Sequence, residues 1–222
     1  MLRDAWLICR KDLLVEWRSK VTTRFVMPFV LSVIMLFAFA FDAESRLLQR
    51  GAGGLFWITV LFASNTISQR MSSIERADGL SDAMRMSSLS PAGVFLGKTA
   101  SVFVQLTALE VFLAFAMVLM YDVRFDGIAV LLAAIPLATM CIAAVGALYG
   151  ALAAGVSGRE AVLPLLTLPA LAPVLLAAAK SFAVAFGTTV GPGWRWLGML
   201  GMLMVIYLAA GMATSAALLE DT

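Results

Sequence analysis

Histidine is absent from this 222-residue chain, and charged residues make up only 14% of it. Without histidine, the chain lacks the commonest metal ligand, the usual general base and the usual axial ligand of heme iron. It has only two cysteines, Cys9 and Cys141, which lie too far apart in sequence to indicate a disulfide framework or a metal site. Because 62% of the residues are apolar, the composition excludes a soluble globule and a disordered chain.

The apolar residues form long runs without charge, which is the pattern of membrane-spanning helices. A charge is costly in hydrocarbon, and a helix needs about 20 apolar residues to cross it. The gaps between charged residues predict six spans, at 25–41, 51–69, 99–121, 128–155, 161–179 and 196–219. The sequence therefore predicts an all-α polytopic membrane protein, with residues 1–222 forming one transmembrane domain.

One further uncharged stretch, 181–194, is too short to cross a bilayer. It contains Gly187, Gly191, Pro192 and Gly193, which interrupt helices. Two interpretations stay open for it: a re-entrant segment before the sixth span, or an ordinary outer loop.

The distribution of lysine and arginine predicts the orientation in the membrane. With six spans, both termini lie on one side, and 11 of the 16 basic residues fall there. Because basic residues accumulate on the cytoplasmic side, both termini are expected in the cytoplasm.

Residues 1–22 have the pattern of an amphipathic helix. Apolar residues recur at spacings of three and four, at Leu2, Trp6, Cys9, Leu13 and Trp17. Basic residues lie largely off this stripe, at Arg3, Arg10, Lys11 and Arg18. Such a helix lies at the membrane surface, either as a simple anchor or as an interfacial elbow helix that moves with the spans.

The main cytoplasmic connector, 72–90, is predicted to be a second amphipathic helix. Apolar residues at helical spacing are Ile74, Ala77, Leu80 and Met84, and charged residues largely opposite them are Glu75, Asp78, Asp82 and Arg85. The polar face must meet water or a soluble partner, so this segment is either a solvated helix or a coupling helix. A shorter connector with Ser157, Arg159 and Glu160 offers a second cytoplasmic contact.

Two further features invite a chemical interpretation. Residues 92–99, AGVFLGKT, approach a phosphate-binding loop, but a span follows at once and no buried strand precedes it, so nucleotide binding is rejected. Glu110 lies midway along the third span, where a carboxyl group is a functional candidate by default. It could relay protons, contact a substrate or bond a neighbouring helix, and a structural role is favoured.

The connector resembles a known family. Glu75-Arg76, Asp78-Gly79-Leu80, Ser90-Pro91 and Gly97-Lys98 match the E-R-x-D-G-L…S-P…G-K pattern of the heme exporter protein B (CcmB) family. This family is similar to the permease subunits of ABC-2-type exporters, which have an elbow helix, six spans and a coupling helix between spans two and three.

The resemblance implies a non-catalytic permease in the bacterial inner membrane, working in cytochrome c biogenesis. It implies a separate CcmA-like ABC ATPase, CcmC-like and CcmD-like membrane subunits, the heme chaperone CcmE and a second copy of the chain, with no nucleic acid. ATP would act only through the partner, and heme would be cargo with no tightly bound cofactor. The expected ATPase contacts are Glu75, Arg76, Asp78, Gly79, Leu80, Met84, Arg85 and Pro91.

Three alternatives stay open from the sequence. An ABC-2-type permease for a drug, lipid or polysaccharide would share the same layout. An intramembrane enzyme or proton-coupled carrier would be centred on Glu110. A scaffold without transport function would show no change of shape with nucleotide.

Overall fold

The computed structural model describes residues 1–20, 22–41, 46–77, 89–121, 126–152 and 159–220. Within these ranges the regular structure is helical. The helices are α1 (Leu2–Ser19), α2 (Met27–Phe41), α3 (Arg46–Ala77), α4 (Pro91–Tyr121), α5 (Ile128–Leu152), α6 (Arg159–Ala185) and α7 (Gly193–Glu220). A π-helical turn, Thr22–Val26, joins α1 to α2.

Five segments are long and apolar enough to cross a membrane. They are Arg24–Phe41, Pro91–Tyr121, Ile128–Gly150, Leu165–Ala185 and Gly193–Ser215. The prediction of an all-α polytopic membrane protein is therefore confirmed.

Helix α3 contains the predicted span 51–69 but is not among these five segments. Its second half is diluted by polar residues, from Ser64 to Arg70. It is nevertheless central to the bundle, because Ala52, Trp57 and Val60 are completely buried. Five of the six predicted spans thus have candidate helices by length and apolarity, and the span at 51–69 stays a prediction.

Several helices are longer than the uncharged stretches from which the spans were predicted. Helix α4 begins at Pro91, directly after Ser90, which has the residue type and position of an N-cap. Helix α6 continues past Lys180 to Ala185, so the first residues of the predicted stretch 181–194 are helical. The chain turns at Gly187, whose φ of +66° suits glycine, and the non-helical connection is only 186–192.

The core lies where α3, α4, α5 and α6 meet. An aromatic cluster joins Phe56 and Trp57 of α3 to Phe182 of α6, with ring centroids 4.9 and 5.2 Å from Phe182. Beside it is a small cavity of about 20 Å³ whose lining is entirely apolar: Phe56, Ala114, Met117, Val118, Leu131, Ile135, Phe182 and Phe186. Without a polar group, this cavity offers no chemistry of its own.

Candidate functional site

The first candidate site is the α1–α4 junction, where the N-terminal helix packs along the start of α4. At its near end, the hydroxyl of Ser90 donates to Oδ2 of Asp4 at 2.7 Å, and the Ser90 backbone N–H donates to the same oxygen at 3.2 Å. These hydrogen bonds, together with the Met1 amino group, hold the pKa of Asp4 below its ordinary value of 3.8. The carboxylate also lies at the N-terminal end of α4, where negative charge is favourable.

Two glycines let the helices approach closely in the middle of the junction. A Cβ atom on Gly93 would lie 2.9 Å from Cβ of Asp4, and one on Gly97 would lie 2.7 Å from Cβ of Ile8 and 2.6 Å from the carbonyl oxygen of Ala5. Any side chain there would force the helices apart. The small residues are therefore required for this contact.

A third contact lies further along the same face. Asp12, which is only 2% exposed, shares the Ser101 hydroxyl proton with the Lys98 carbonyl oxygen, at 3.3 and 2.8 Å from the hydroxyl oxygen, and its other oxygen pairs with Lys11 at 2.8 Å. Burial and the nearby Asp12 charge raise the pKa of the Cys9 thiol, so Cys9 is an unreactive packing residue at neutral pH.

The three contacts show that α1 and α4 run parallel. Asp4 meets Gly93, Ile8 meets Gly97, and Asp12 meets Ser101, so each step of four residues along α1 matches four along α4. Hydrogen bonds at both ends and close packing between them make α1 and the start of α4 one unit. We infer that a displacement of the start of α4 carries α1 with it.

The predicted apolar stripe of α1 is divided in the structure. Cys9 is buried at the junction, whereas Trp6 and Trp17 are 66% and 80% exposed on the outward side. The helix therefore has two apolar surfaces, one for α4 and one for its surroundings.

Helix α1 ends at a joint. Lys20 adopts a left-handed conformation with φ of 52°, and the π-helical turn follows. The guanidinium of Arg70 on α3 lies over the ring of Phe25 in that turn, 5.0 Å from the ring centroid. The joint between α1 and α2 is thus linked to the part of α3 that leads into the connector.

The described chain frames the predicted coupling segment 72–90 on both sides. Residues 72–77 continue helix α3, so Glu75 and Arg76 lie on its last turns, and Pro91 begins α4. The other predicted ATPase contacts lie outside the described residues: Asp78, Gly79, Leu80, Met84 and Arg85. A separate coupling helix stays a prediction. The segment ends at Ser90, which is hydrogen-bonded to Asp4.

The second predicted cytoplasmic contact is described only in part. Arg159 and Glu160 are the first residues of α6, and Ser157 lies outside the described residues. Residues 92–99 are all helical within α4, which is incompatible with a phosphate-binding loop.

The second candidate site is the intramembrane pair Glu110 and Thr139. Glu110 is 1% exposed, and Thr139 Oγ1 lies 2.7 and 2.8 Å from its two carboxyl oxygens. The same Thr139 oxygen lies 2.7 Å from the carbonyl oxygen of Ile135. The pair therefore joins α4 to α5 in the middle of both helices.

The number of protons available for hydrogen bonds at this site favours a protonated Glu110 carboxyl group. The Thr139 hydroxyl has one proton, which it can donate to the Ile135 carbonyl, as hydroxyls within helices commonly do. Glu110 then has to donate its own proton to Thr139 Oγ1. A neutral acid also avoids the cost of an unpaired charge in the membrane. This arrangement is suited to holding helices together.

The sequence alone did not identify the partners at either site. Asp4, Asp12 and Thr139 had no individual signal. The spacing of Gly93, Gly97 and Ser101, one small residue every four, was a usable indication of close helix packing. Within the described chain, no group of three or more cysteine, aspartate and glutamate residues could hold a metal ion.

Comparison with known proteins places the chain in a family. No curated protein matches it. The sequence model of the family described as CcmB protein matches residues 3–221, which is almost the whole chain. The chain therefore belongs to the CcmB family, the heme exporter protein B group of ABC-type permeases in cytochrome c biogenesis.

Proposed function

We propose that this chain is the membrane permease subunit of an ABC transporter complex. It would couple ATP hydrolysis by a separate ATPase to heme export or to release of the heme-loaded chaperone. The observation that carries the proposal is the family match over residues 3–221. The architecture supports it, since the five apolar segments occupy about half of the chain.

We propose that α3 is also a membrane span, which would be the second in chain order and would bring the total to six. It has 32 residues, about 48 Å of helix, which exceeds the roughly 30 Å thickness of the hydrocarbon core. Its buried side chains pack against α6 and the other central helices, which shield them from lipid. Six spans would place both termini and the connector 72–90 on one side, and the excess of basic residues favours the cytoplasm of the inner membrane for that side.

We propose that the connector receives the movement of the ATPase. It leaves α3 after Ala77 and re-enters the bundle at Ser90, which is bonded to Asp4. A push on the connector would thus reach α4 directly and α1 through the α1–α4 junction. Glu75, Asp78 and Arg85 would make polar contacts with the ATPase, while Leu80 and Met84 would dock on its surface. Ser157, Arg159 and Glu160 would form a smaller second contact.

The remaining partners follow from the family. CcmC-like and CcmD-like subunits would complete the membrane complex, a CcmE-like chaperone would receive or release heme, and two copies of the chain would pair with two ATPase subunits. The chain itself would be non-catalytic, with heme as cargo.

Charge reversal in the connector tests the proposal. The variant Glu75→Lys/Asp78→Lys should reduce co-purification of the ATPase subunit from membranes, because it repels whatever basic groups meet this segment. The matched control is Asp42→Lys/Glu44→Lys, the same charge change between the first two predicted spans. Undiminished co-purification of the first variant would contradict the proposed interface, as would equal loss in the control.

A further inference from the structure

Three basic side chains are exposed at the end of the bundle opposite to the connector 72–90. They are Arg50 near the start of α3, Lys180 near the end of α6 and Arg195 near the start of α7. Among the described residues, no carboxylate or hydrogen bond neutralises these side chains, and the contact of Arg195 is with the ring of Trp194, at 5.8 Å. This end of the bundle therefore has positive charge that the described chain leaves uncompensated.

The three charges lie at nearly the same level along the bundle. A Cβ atom on Gly53 would lie 2.7 Å from Cβ of Phe182, which fixes the level of α3 against α6. A Cβ atom on Gly193 would lie 3.3 Å from a methyl carbon of Val184, which fixes the level of α7 against α6. The two arginines are three and two residues away from these glycines. The three Cα atoms therefore lie within roughly 6 Å of one another along the axis of α6.

The charges also share one side of the bundle. On α6, Phe182 is turned toward α3 and Val184 toward α7, and Lys180 lies on the exposed side between these contacts. On a helical wheel, Arg50 and Arg195 lie on the sides of α3 and α7 that adjoin this exposed side of α6. The three cations can thus meet one common partner.

The apolar surface beside these charges is open to close approach. Gly51 of α3 is exposed and Gly54 is half-buried, and nothing lies within 4 Å of either missing Cβ. Leu176 of α6, one turn from Lys180, is 52% exposed. Glycine weakens a helix and gives lipid chains little to pack on, whereas it lets the backbone of a second helix come close. The surface therefore favours a protein helix over lipid as its occupant.

A second copy of the chain fits this surface poorly. Two copies in one membrane have the same orientation, so a symmetric contact would bring Arg50, Lys180 and Arg195 of one copy against the same residues of the other. Like charges facing each other oppose association. The surface is instead complementary to a partner with negative charge at this level.

We propose that this surface, the α3–α6–α7 face, docks a transmembrane helix of a different membrane subunit that has carboxylates at the level of the three cations. The face comprises Arg50, Gly51, Gly54, Leu176, Lys180 and Arg195. The carboxylates pair with the cations, while the body of the helix lies on the glycines and the leucine. This inference rests on the proposed function, because it requires α3 to span the membrane and the chain to belong to a complex.

Photo-cross-linking in cells that contain the whole complex tests the proposal. A photoreactive amino acid at Leu176 should give an adduct with another membrane subunit. Mass spectrometry of the adduct should identify a transmembrane segment with a carboxylate at the end that meets the cations. The same probe at Phe115 is the matched control, because Phe115 is an apolar residue of α4 that is 64% exposed on a different side. It should give no adduct with that subunit.

Charge variants show whether the cations are what the partner recognises. The variant Arg50→Glu/Lys180→Glu/Arg195→Glu should lower the yield of the Leu176 adduct about ten-fold, because it places like charges across the interface. Lysine in place of the partner's carboxylates should restore that yield, which also shows that the variant is folded. The variant Arg50→Lys/Arg195→Lys should keep most of the yield, since lysine keeps the charge.

The ATPase provides the separation from the proposed coupling. Its co-purification should be unchanged in the triple glutamate variant, because the connector is at the opposite end of the bundle. A Leu176 adduct that forms in a wild-type complex without ATPase contact would support the docking face and contradict only the proposed coupling.

Four outcomes would overturn the proposal. They are adducts with lipid alone from Leu176, adducts only with a second copy of the chain, an equal yield of the subunit adduct from Phe115, and an undiminished yield in the triple glutamate variant. The first would assign the face to lipid and the second to a homodimer.

Discussion

Ser90 donates both its hydroxyl and its backbone N–H to a single oxygen of Asp4, at 2.7 and 3.2 Å. Ser90 is the last residue before α4 and the exit of the connector, while Asp4 lies in the first turn of α1. The contact thus joins two segments that are 86 residues apart in sequence. It connects the proposed lever to the N-terminal helix without passing through the rest of the bundle.

This contact should make the docking of α1 dependent on pH. Ser90 lowers the pKa of Asp4 in the folded protein, so the contact stabilises the fold above the unfolded value of about 3.8. The stabilisation is lost as the pH falls through the lower folded-state pKa. Asp4→Asn should therefore lower the unfolding temperature at pH 6 and make much less difference near pH 3.

Ser90→Ala provides the check on that prediction. It should reproduce most of the loss at pH 6, because the backbone N–H of residue 90 remains, and the double variant should be little worse than Asp4→Asn alone. Additive losses in the double variant would show that Asp4 and Ser90 stabilise the protein independently.

A larger side chain at Gly97 should separate α1 from α4. Gly97→Leu places atoms within 2.7 Å of Ile8 and should cost roughly 1–3 kcal/mol in the free energy of unfolding. Gly198→Leu is the control, because Gly198 is exposed on α7 and nothing lies within 4 Å of its missing Cβ. Thermal unfolding in the same detergent compares the two. Equal stability of both variants would argue against close packing at the junction.

The Glu110–Thr139 pair should tolerate replacement of the Glu110 carboxyl group by an amide, but not removal of the Thr139 hydroxyl. Glu110→Gln keeps a donor for Thr139 Oγ1 and should change stability by less than about 1 kcal/mol. Thr139→Val leaves a buried acid without its partner and should cost about 1–3 kcal/mol. Thermal unfolding measures both variants.

The same variant separates a structural role from proton coupling. Cells with Glu110→Gln should still produce mature cytochrome c, because the proposed permease uses Glu110 only to join α4 and α5. A stable Glu110→Gln protein that produces none would instead support a carrier centred on this residue.

The sequence predicted the class of fold because charge is excluded from hydrocarbon whatever the packing. It was less accurate for helix ends, since helices continue through Lys98 and Lys180 wherever long side chains reach the headgroups or solvent. The distance between charged residues reflects the thickness of the hydrocarbon core. The ends of the helices are instead set by caps and turns, such as those at Ser90 and Gly187.

The docking of α1 was not predictable from its hydrophobic pattern. Apolar residues face both lipid and protein in a membrane, so periodicity does not distinguish Cys9, buried against α4, from Trp6 and Trp17, exposed outward. The polar contacts of Asp4 and Asp12 depend on a helix 86 to 89 residues away. Only the spacing of Gly93, Gly97 and Ser101 could have indicated that a helix would pack there.

Site-specific photo-cross-linking from the connector tests the central claim most directly. A photoreactive amino acid at Leu80, in cells that contain the whole complex, should cross-link to the ATPase subunit, and the yield should change with ATP. The same probe at Val190, in the exposed turn between α6 and α7, should give no ATPase adduct. An ATPase adduct from Val190 with none from Leu80 would contradict the proposed orientation and the proposed lever together.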